Sequence, residues 1–448
     1  MSITRITKPE SHMAQAQPSG LLIVDKPQGV TSFDAVAAVR GALHIKKVGH
    51  AGTLDPMATG ALVIAFGHAT RLLNAIVAHD KTYEATIRLG LTTDTDDAEG
   101  AVHVDESIHS RWKELTKRHG EQGSWQTGTF WHDLLADTIA SHFTGNIEQV
   151  PNTFSAIKIN GQRAYDLARE GKDVELKARP VTVSEFSVLD VRAGVVTGKN
   201  AGEPLLEKDI ASFPFDSAAG PDQSFCSSLN DHSVTSGDGE SDPRGVDTVI
   251  SVASTGLIPV LDVNVRISCS SGTYIRALAR DLGMTLGVGG YLTRLRRTRV
   301  GRFALPDDAS GLIAADAMQQ TSAHTITAHT EAKTFVNREG ERVTRNTCVL
   351  DTPAGLAGEE RRAWVLGRAL TMEQATRGAM PAVDITAEEA AELRFGRRIE
   401  RVVPRDTQVA AIAPAPDDVS DDAPADVVAI LERANAHQAK PVTVFPLA

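Results

Sequence analysis

The sequence predicts a mixed fold of strands and helices, with a large α/β domain over about residues 15–310 and a smaller domain over about 330–448. Three observations carry this. An apolar run at 20–24, closed by Asp25-Lys26-Pro27 and Gly29, reads as a first strand. Phe33, Val36, Ala37, Val39 and Leu43 then follow helical spacing. Strict alternation at 83–89 and 261–269 marks two further strands, each with one polar face.

The remaining elements follow in order. Thr31 or Ser32 can cap the first helix, with Asp34 beside its exposed amides. Residues 49–57 form a polar, glycine-rich loop, and 60–66 return to strand composition. A short helix is expected at 70–76 and an acidic turn at 92–100, with Asp94, Asp96, Asp97 and Glu99. Helices follow at 134–143, 163–169 and 274–282, and strands at 154–159 and 181–189. A linker is expected over about 311–340, and the run from Arg362 to Leu366 reads as strand-like. Thr386, with Glu389 three residues on and Gly396 beyond, brackets a last helix. Residues 413–426 are a low-complexity interval of Ala, Pro and Asp.

At 448 residues the chain can hold two or three domains with their own cores. No apolar run approaches the roughly 18 residues a membrane span needs. Residues 1–19 lack the apolar core of a secretory signal and read as a flexible leader. Cys226, Cys269 and Cys348 lie far apart, without zinc or disulfide spacing, which suits a reducing cytoplasm.

The formal net charge of -11 is awkward for a protein that meets nucleic acid, but its distribution matters more. Residues 211–247 hold seven acids against the single base Arg244, within a Ser-, Asp- and Gly-rich insertion over about 191–256. Residues 291–302 hold Arg294, Arg296, Arg297, Arg299 and Arg302 with no acid at all. A locally basic face on an acidic protein is therefore available.

The densest polar cluster is Gly49-His50-Ala51-Gly52-Thr53-Leu54-Asp55-Pro56. Its glycines let the backbone turn tightly and Pro56 stiffens the exit, so one carboxylate and one imidazole can be held in fixed places. An ordinary Asx-type turn would use the same residue types. Gly272, Thr273, Tyr274, Ile275 and Arg276 lie at a strand-to-helix junction, where Arg276 offers a forked donor for a carboxylate, or simply a solvated helix start. Tyr83, beside Lys81, could stack on a base or pack in its sheet.

These blocks together resemble the bacterial tRNA pseudouridine-55 synthases, the TruB family. The resemblance rests on residues 20–32 and 47–60, on Lys81-Thr82-Tyr83-Glu84-Ala85-Thr86, and on 154–158, 161–165, 272–276 and 295–301, all in the family's order. It covers most of 20–305 outside two insertions near 101–130 and 191–256. It implies an α+β pseudouridine-synthase fold: a central mixed, mainly antiparallel sheet with flanking helices over 20–310, and a small β-rich PUA-like RNA-binding domain over 330–448.

The implied reaction converts uridine to pseudouridine at position 55 of the tRNA T loop, with no cofactor and no metal. Asp55 would be the catalytic carboxylate and Arg276 its partner. Tyr83 would stack on the target base and assist proton removal from C5. His50 would fill the space left by the extruded nucleotide, and Tyr274 and Leu295 would wall the pocket. Lys26 and Pro27 would brace the catalytic loop, with Lys26 also counted among substrate-binding residues. Arg294, Arg296, Arg297 and Arg299 would lie near phosphates. The implied partner is tRNA, at its T loop and elbow, for a cytoplasmic monomer with no membrane association.

Three other readings stay open: a synthase acting on ribosomal RNA or another tRNA position, an RNA-folding factor with incidental catalysis, and a glycosidase-like hydrolase. The last usually needs paired carboxylates, and the cluster supplies one.

Overall fold

The computed structural model describes residues 17–446, apart from 106, 109, 113, 116–127, 156, 160, 171–175, 198–199, 207–256, 309–322, 339 and 415–424. The acidic stretch 211–247 and nearly all of the leader therefore lie outside the described residues. The chain divides into two compact units, one of residues 1–81 with 297–448 and one of residues 82–296. This differs from the division expected at 310–330.

The first unit opens with β1 (Gly20–Lys26), α1 (Ser32–Leu43), β2 (Val48–His50), β3 (Thr59–Phe66) and the short α2 (Leu73–Val77). Thr31 caps α1 in a reciprocal box with Asp34, and Val36, Val39 and Leu43 supply its buried face. β3 runs antiparallel to both β1 and β2. β1 and β3 are buried on both faces, so they read as continuous apolar runs rather than as alternations.

The second unit contains β4 (Lys81–Leu89), α3 (Gly128–His142), β5 (Gly145–Gln149), α4 (Ala164–Arg169), β6 (Arg179–Thr197), β7 (Asn200–Leu206), β8 (Leu257–Cys269), α5 (Ile275–Leu286) and most of β9 (Gly290–Val300). Strand β6 pairs antiparallel with β5, β7 and β8, in the order β7-β6-β8-β4-β9. The strand expected at 181–189 thus continues to Thr197 and turns into a hairpin with β7, so the first part of the expected insertion is sheet. The strand expected at 154–159 is reduced to Lys158–Ile159. Arg88 pins this sheet, gripping Asp262 through Nε and Nη2 at 2.7 and 2.8 Å.

The first unit resumes with β10 (Thr325–Val336), β11 (Arg342–Leu350), α6 (Gly358–Gly367), α7 (Met372–Ala379), β12 (Ala382–Asp384), α8 (Ala387–Arg394), β13 (Val409–Ala413), β14 (Asp426–Arg433) and β15 (Ala439–Val444). Two expectations are corrected here. Much of the supposed linker is strand, since β10 lies parallel to β1 and pairs antiparallel with β11. The run from Arg362 to Leu366 is helical, within α6. Its Glu359 and Glu360 favour the helix N-terminus, and Val365 is its buried contact. The helix capped by Thr386 forms as expected, with the Glu389 box in place.

Strands β12 to β15 make a second, four-stranded sheet. Its Ile412, Val427, Ile430 and Phe445 share one apolar cluster with Leu21, Ile23, Ala61 and Val63 of β1 and β3. The protein is thus built on a mixed sheet with helices and a β-rich C-terminal part. Cys269 and Cys348 are buried thiols outside any disulfide among the described residues; burial pushes the Cys348 thiol up to about 11, which leaves it inert. Cys226 lies outside the described residues.

Candidate active site

His50 ends β2 and Asp55 lies in the loop from β2 to β3, and buried groups of its own unit hold that loop on several sides. Ala51 N donates to Val63 O at 2.9 Å, tying the loop's entry to β3. Ser32, at the start of α1, clamps Leu54 from both sides: its Oγ donates to Leu54 O at 3.1 Å and accepts from Leu54 N at 2.8 Å. Gly29 N donates to Pro56 O at 2.8 Å, and Ala58 N donates to Asp55 O at 3.1 Å. Asp55 itself is half-buried.

Lys26 is fully buried, and its Nζ donates to Pro27 O at 2.9 Å, Val30 O at 2.8 Å and Pro56 O at 3.4 Å. All three ammonium donors are thereby engaged. Lys26 is therefore a brace, and its place among the substrate-binding residues is corrected.

Arg297 requires a larger correction. It was expected near phosphates, yet it is 1% exposed. Its guanidinium donates to Ala61 O at 2.8 Å, Gly52 O at 3.0 Å and Thr53 O at 3.4 Å. The cause is strand alternation along β9, which turns Leu295 and Arg297 inward, leaves Arg294 exposed and Arg296 half-buried. A run of arginines in sequence is thus divided between two faces. Arg294 lies 3.8 Å from Glu84, and Arg299 is half-buried.

The close packing of Arg297 explains a glycine. Gly60 has φ +104°, and a Cβ there would stand 2.1 Å from Arg297 O, so no larger residue fits.

His50 sits on β2 opposite Ile64. Its Nδ1 is buried without a hydrogen-bond partner. Burial, and then the positive charge of Arg297, lower its pKa from 6.5, against a smaller opposing effect of a backbone hydrogen bond with Gly52. The imidazole is neutral around pH 7.

In the second unit, Tyr83 is buried on β4, and Leu295 is buried on β9. Tyr274 is half-buried at the N-cap of α5, where the buried Gln149 satisfies its backbone. Tyr274 N donates to Gln149 Oε1 at 2.8 Å, and Gln149 Nε2 donates to Tyr274 O at 3.0 Å.

Arg276 is buried one residue into α5 and donates to Asp97 Oδ2 at 3.1 Å, Thr95 O at 3.0 Å and Phe154 O at 3.0 Å. Asp97 is itself 2% exposed and accepts from Thr95 Oγ1 at 2.6 Å and Glu99 N at 3.0 Å. The acidic turn at 92–100 is thus the seat of a buried ion pair. Sequence reasoning missed Asp97, Gln149 and Ser32 as site-building residues. The only available signal was the density of acids around Asp97, which looked like a solvated turn.

No cluster of three or more His, Cys, Asp or Glu residues suited to a metal occurs among the described residues.

Comparison with known proteins agrees with this organisation. Residues 40–199 match the TruB family pseudouridylate synthase N-terminal domain, 276–333 the tRNA pseudouridylate synthase B C-terminal domain, and 380–446 the tRNA pseudouridine synthase II C-terminal region. A tRNA pseudouridine synthase B of Bifidobacterium longum (strain DJO10A) is 67% identical over 443 residues, covering 97% of this chain and 100% of that one. One from Arthrobacter sp. (strain FB24) is 37% identical over 428 residues, covering 95% and 96%. One from Streptomyces coelicolor is 42% identical over 288 residues, covering 64% and 70%.

Proposed function

Because the chain belongs to the TruB family of pseudouridylate synthases, we propose that it isomerises the uridine at position 55 in the T loop of tRNA, with Asp55 as the catalytic carboxylate. The reaction breaks the N1–C1′ bond, turns the freed base, joins C5 to C1′ and removes the proton from C5. Nothing is gained or lost overall, so a carboxylate acting at the sugar and a group to accept the C5 proton suffice. Asp55 acts by attack at C1′ or by the proton abstraction that opens a glycal route.

One observation carries this reading: Asp55 lies in a loop whose backbone is held by Lys26, Ser32, Gly29 and Arg297. A carboxylate fixed before substrate arrives loses little freedom on reaching the transition state. His50, neutral and partly buried five residues before it, fits a packing role against a displaced nucleotide better than a charged one.

Tyr83 is assigned to stacking on the target base and to receiving the C5 proton, and Tyr274 and Leu295 to the pocket wall. Arg276 is assigned to holding Asp55 ionised and oriented, with Asp97 fixing its guanidinium. Arg294, Arg296 and Arg299 are assigned to phosphates, and the C-terminal β-rich part to RNA binding in the manner of a PUA module. The enzyme is taken to work as a cytoplasmic monomer; among the described residues no helix is long and apolar enough to cross a membrane.

The test is incubation of unmodified tRNA transcript with wild-type and Asp55→Ala protein, followed by mapping of pseudouridine by position. Product at position 55 from wild type alone is expected. Product elsewhere moves the substrate to another RNA, and none from a folded, tRNA-binding protein leaves a folding factor.

A further inference from the structure

On α5, Arg276 and Arg280 stand one turn apart, and each grips the same two segments of the second unit. Arg276 donates to a carboxylate of the 92–100 turn, Asp97, and to a carbonyl of the stretch after β5, Phe154 O. Arg280 repeats the pattern four residues on. Its Nη1 donates to Asp96 Oδ2 at 3.4 Å, and its Nη2 donates to Val150 O at 2.8 Å. The i, i+4 spacing puts both side chains on one face of the helix. The turn and the stretch 149–155 are thus fastened to α5 by two rungs, and only the first contains a residue assigned to the reaction.

A cross-tie joins the turn to the stretch directly. Asn152 Nδ2 donates to Asp96 Oδ2, the oxygen that also receives Arg280. Asn152 is 1% exposed, and its Oδ1 is buried with no hydrogen-bond partner among the described residues. The Asp96 carboxylate fixes the amide this way round, since the reverse would set oxygen against oxygen. A buried acceptor left unpaired lowers stability, and an apolar side chain of similar size would avoid that loss. What the amide alone supplies here is its donor to Asp96.

The tie sits where it controls Arg276. Asp96 lies between Thr95 and Asp97, both of which accept from Arg276, and Asn152 lies two residues before Phe154, which also accepts from it. Burial raises the Asp96 pKa from its ordinary value, against the lowering effects of Arg280, Asn152 and Arg276. Asp96, Asn152 and Arg280 all fall outside the sequence blocks that carry the family resemblance.

We propose that Asp96, Asn152 and Arg280 are positioning residues for Arg276, holding the acceptors of its guanidinium at a fixed spacing. The inference rests on the assignment of Arg276 to the reaction. Without the tie, Arg276 keeps its charge but loses its fixed direction, and a misplacement of about 1 Å can slow a reaction about a hundredfold.

The test makes Asn152→Leu and Asp96→Asn in the full chain, each with Arg276 intact and in an Arg276→Lys background. Single-turnover pseudouridine formation on unmodified tRNA transcript, tRNA Kd and unfolding midpoints are measured. Asn152→Leu removes the unpaired acceptor together with the donor at nearly constant volume, so its midpoint should stay near that of wild type. With Arg276 intact, each variant should lose about tenfold in rate, with Kd changed by less than about twofold. In the Arg276→Lys background the same changes should lose less than about twofold, because no fork is left to position. In the protein alone, exchange of the Arg276 guanidinium protons with water, read by NMR on nitrogen-labelled arginine, should quicken in both variants. A purely structural role would move midpoint and rate together, and equally in both backgrounds. Wild-type rates in folded Asn152→Leu and Asp96→Asn would overturn the proposal, as would equal losses in the two backgrounds or unchanged guanidinium exchange. A wild-type rate in Arg276→Lys alone would instead refute the assignment of Arg276 to the reaction. The exchange measurement needs no catalysis and still decides whether the tie holds that guanidinium.

Discussion

Two arginines, one in each unit, are buried to a similar depth but balanced in different ways. Arg276 faces a carboxylate, Asp97, which is itself buried and held by further donors. Arg297 has no carboxylate partner among the described residues; carbonyl oxygens of Gly52, Thr53 and Ala61 take its donors. The ion pair in the second unit repays desolvation with an opposite charge and so acts as an anchor. The arginine in the first unit has its charge matched only by carbonyls among the described residues, beneath a segment that carries a histidine and a carboxylate. It braces that segment and also sets its field, which opposes a proton on His50.

The largest effect is expected from Arg297→Ala. It leaves three carbonyls without their donor in a buried place, and urea unfolding should show a loss of about 3–5 kcal/mol. Arg297→Lys should recover only part of this, because an ammonium cannot reproduce the planar fork. A stable Arg297→Ala protein would remove the brace from the account.

Asp97→Asn should cost about 3 kcal/mol by removing the buried carboxylate that Arg276 donates to, and adding Arg276→Gln should restore part of that loss. Such a cycle separates the two arginines, since Arg297 has no charge partner among the described residues whose removal could compensate. If the double variant is no better than additive, Asp97 is not the group that balances Arg276.

Gly60→Ala acts on Arg297 indirectly, forcing apart two backbones that a Cβ cannot enter, and should lower stability by about 2 kcal/mol.

The smallest effect is the pH dependence of His50. Its folded pKa lies below 6.5, so the unfolded chain binds the proton more readily. Stability should therefore fall as pH drops below 6.5 and be restored above it. His50→Gln should shrink the difference between unfolding midpoints measured at about pH 7.5 and pH 5.5. A His50 titration seen by NMR at or above 6.5 would contradict this field.

The legibility of these features in the sequence varied with their physical origin. Strands with one wet face, such as 261–269, showed their period, and both Thr31–Asp34 and Thr386–Glu389 showed as capping boxes. The Asp55 loop was legible because Gly, Asp and Pro advertise tight backbone. The family resemblance, rather than spacing, supplied its chemistry. Arg297 was not legible, because a run of arginines suggests a surface until the strand register is known. Asp97 was hidden for the same reason, its burial depending on Arg276 from far along the chain. The helix α6 was misread because five residues, from Arg362 to Leu366, are too few to separate a period of two from one of 3.6.

The central claim is that a braced loop holds Asp55 as the carboxylate of the reaction. The measurement that tests it most directly is single-turnover pseudouridine formation by Asp55→Asn, run beside its tRNA affinity and unfolding midpoint. The account predicts wild-type affinity and stability with no product. Product formed at a rate near that of wild type would contradict it.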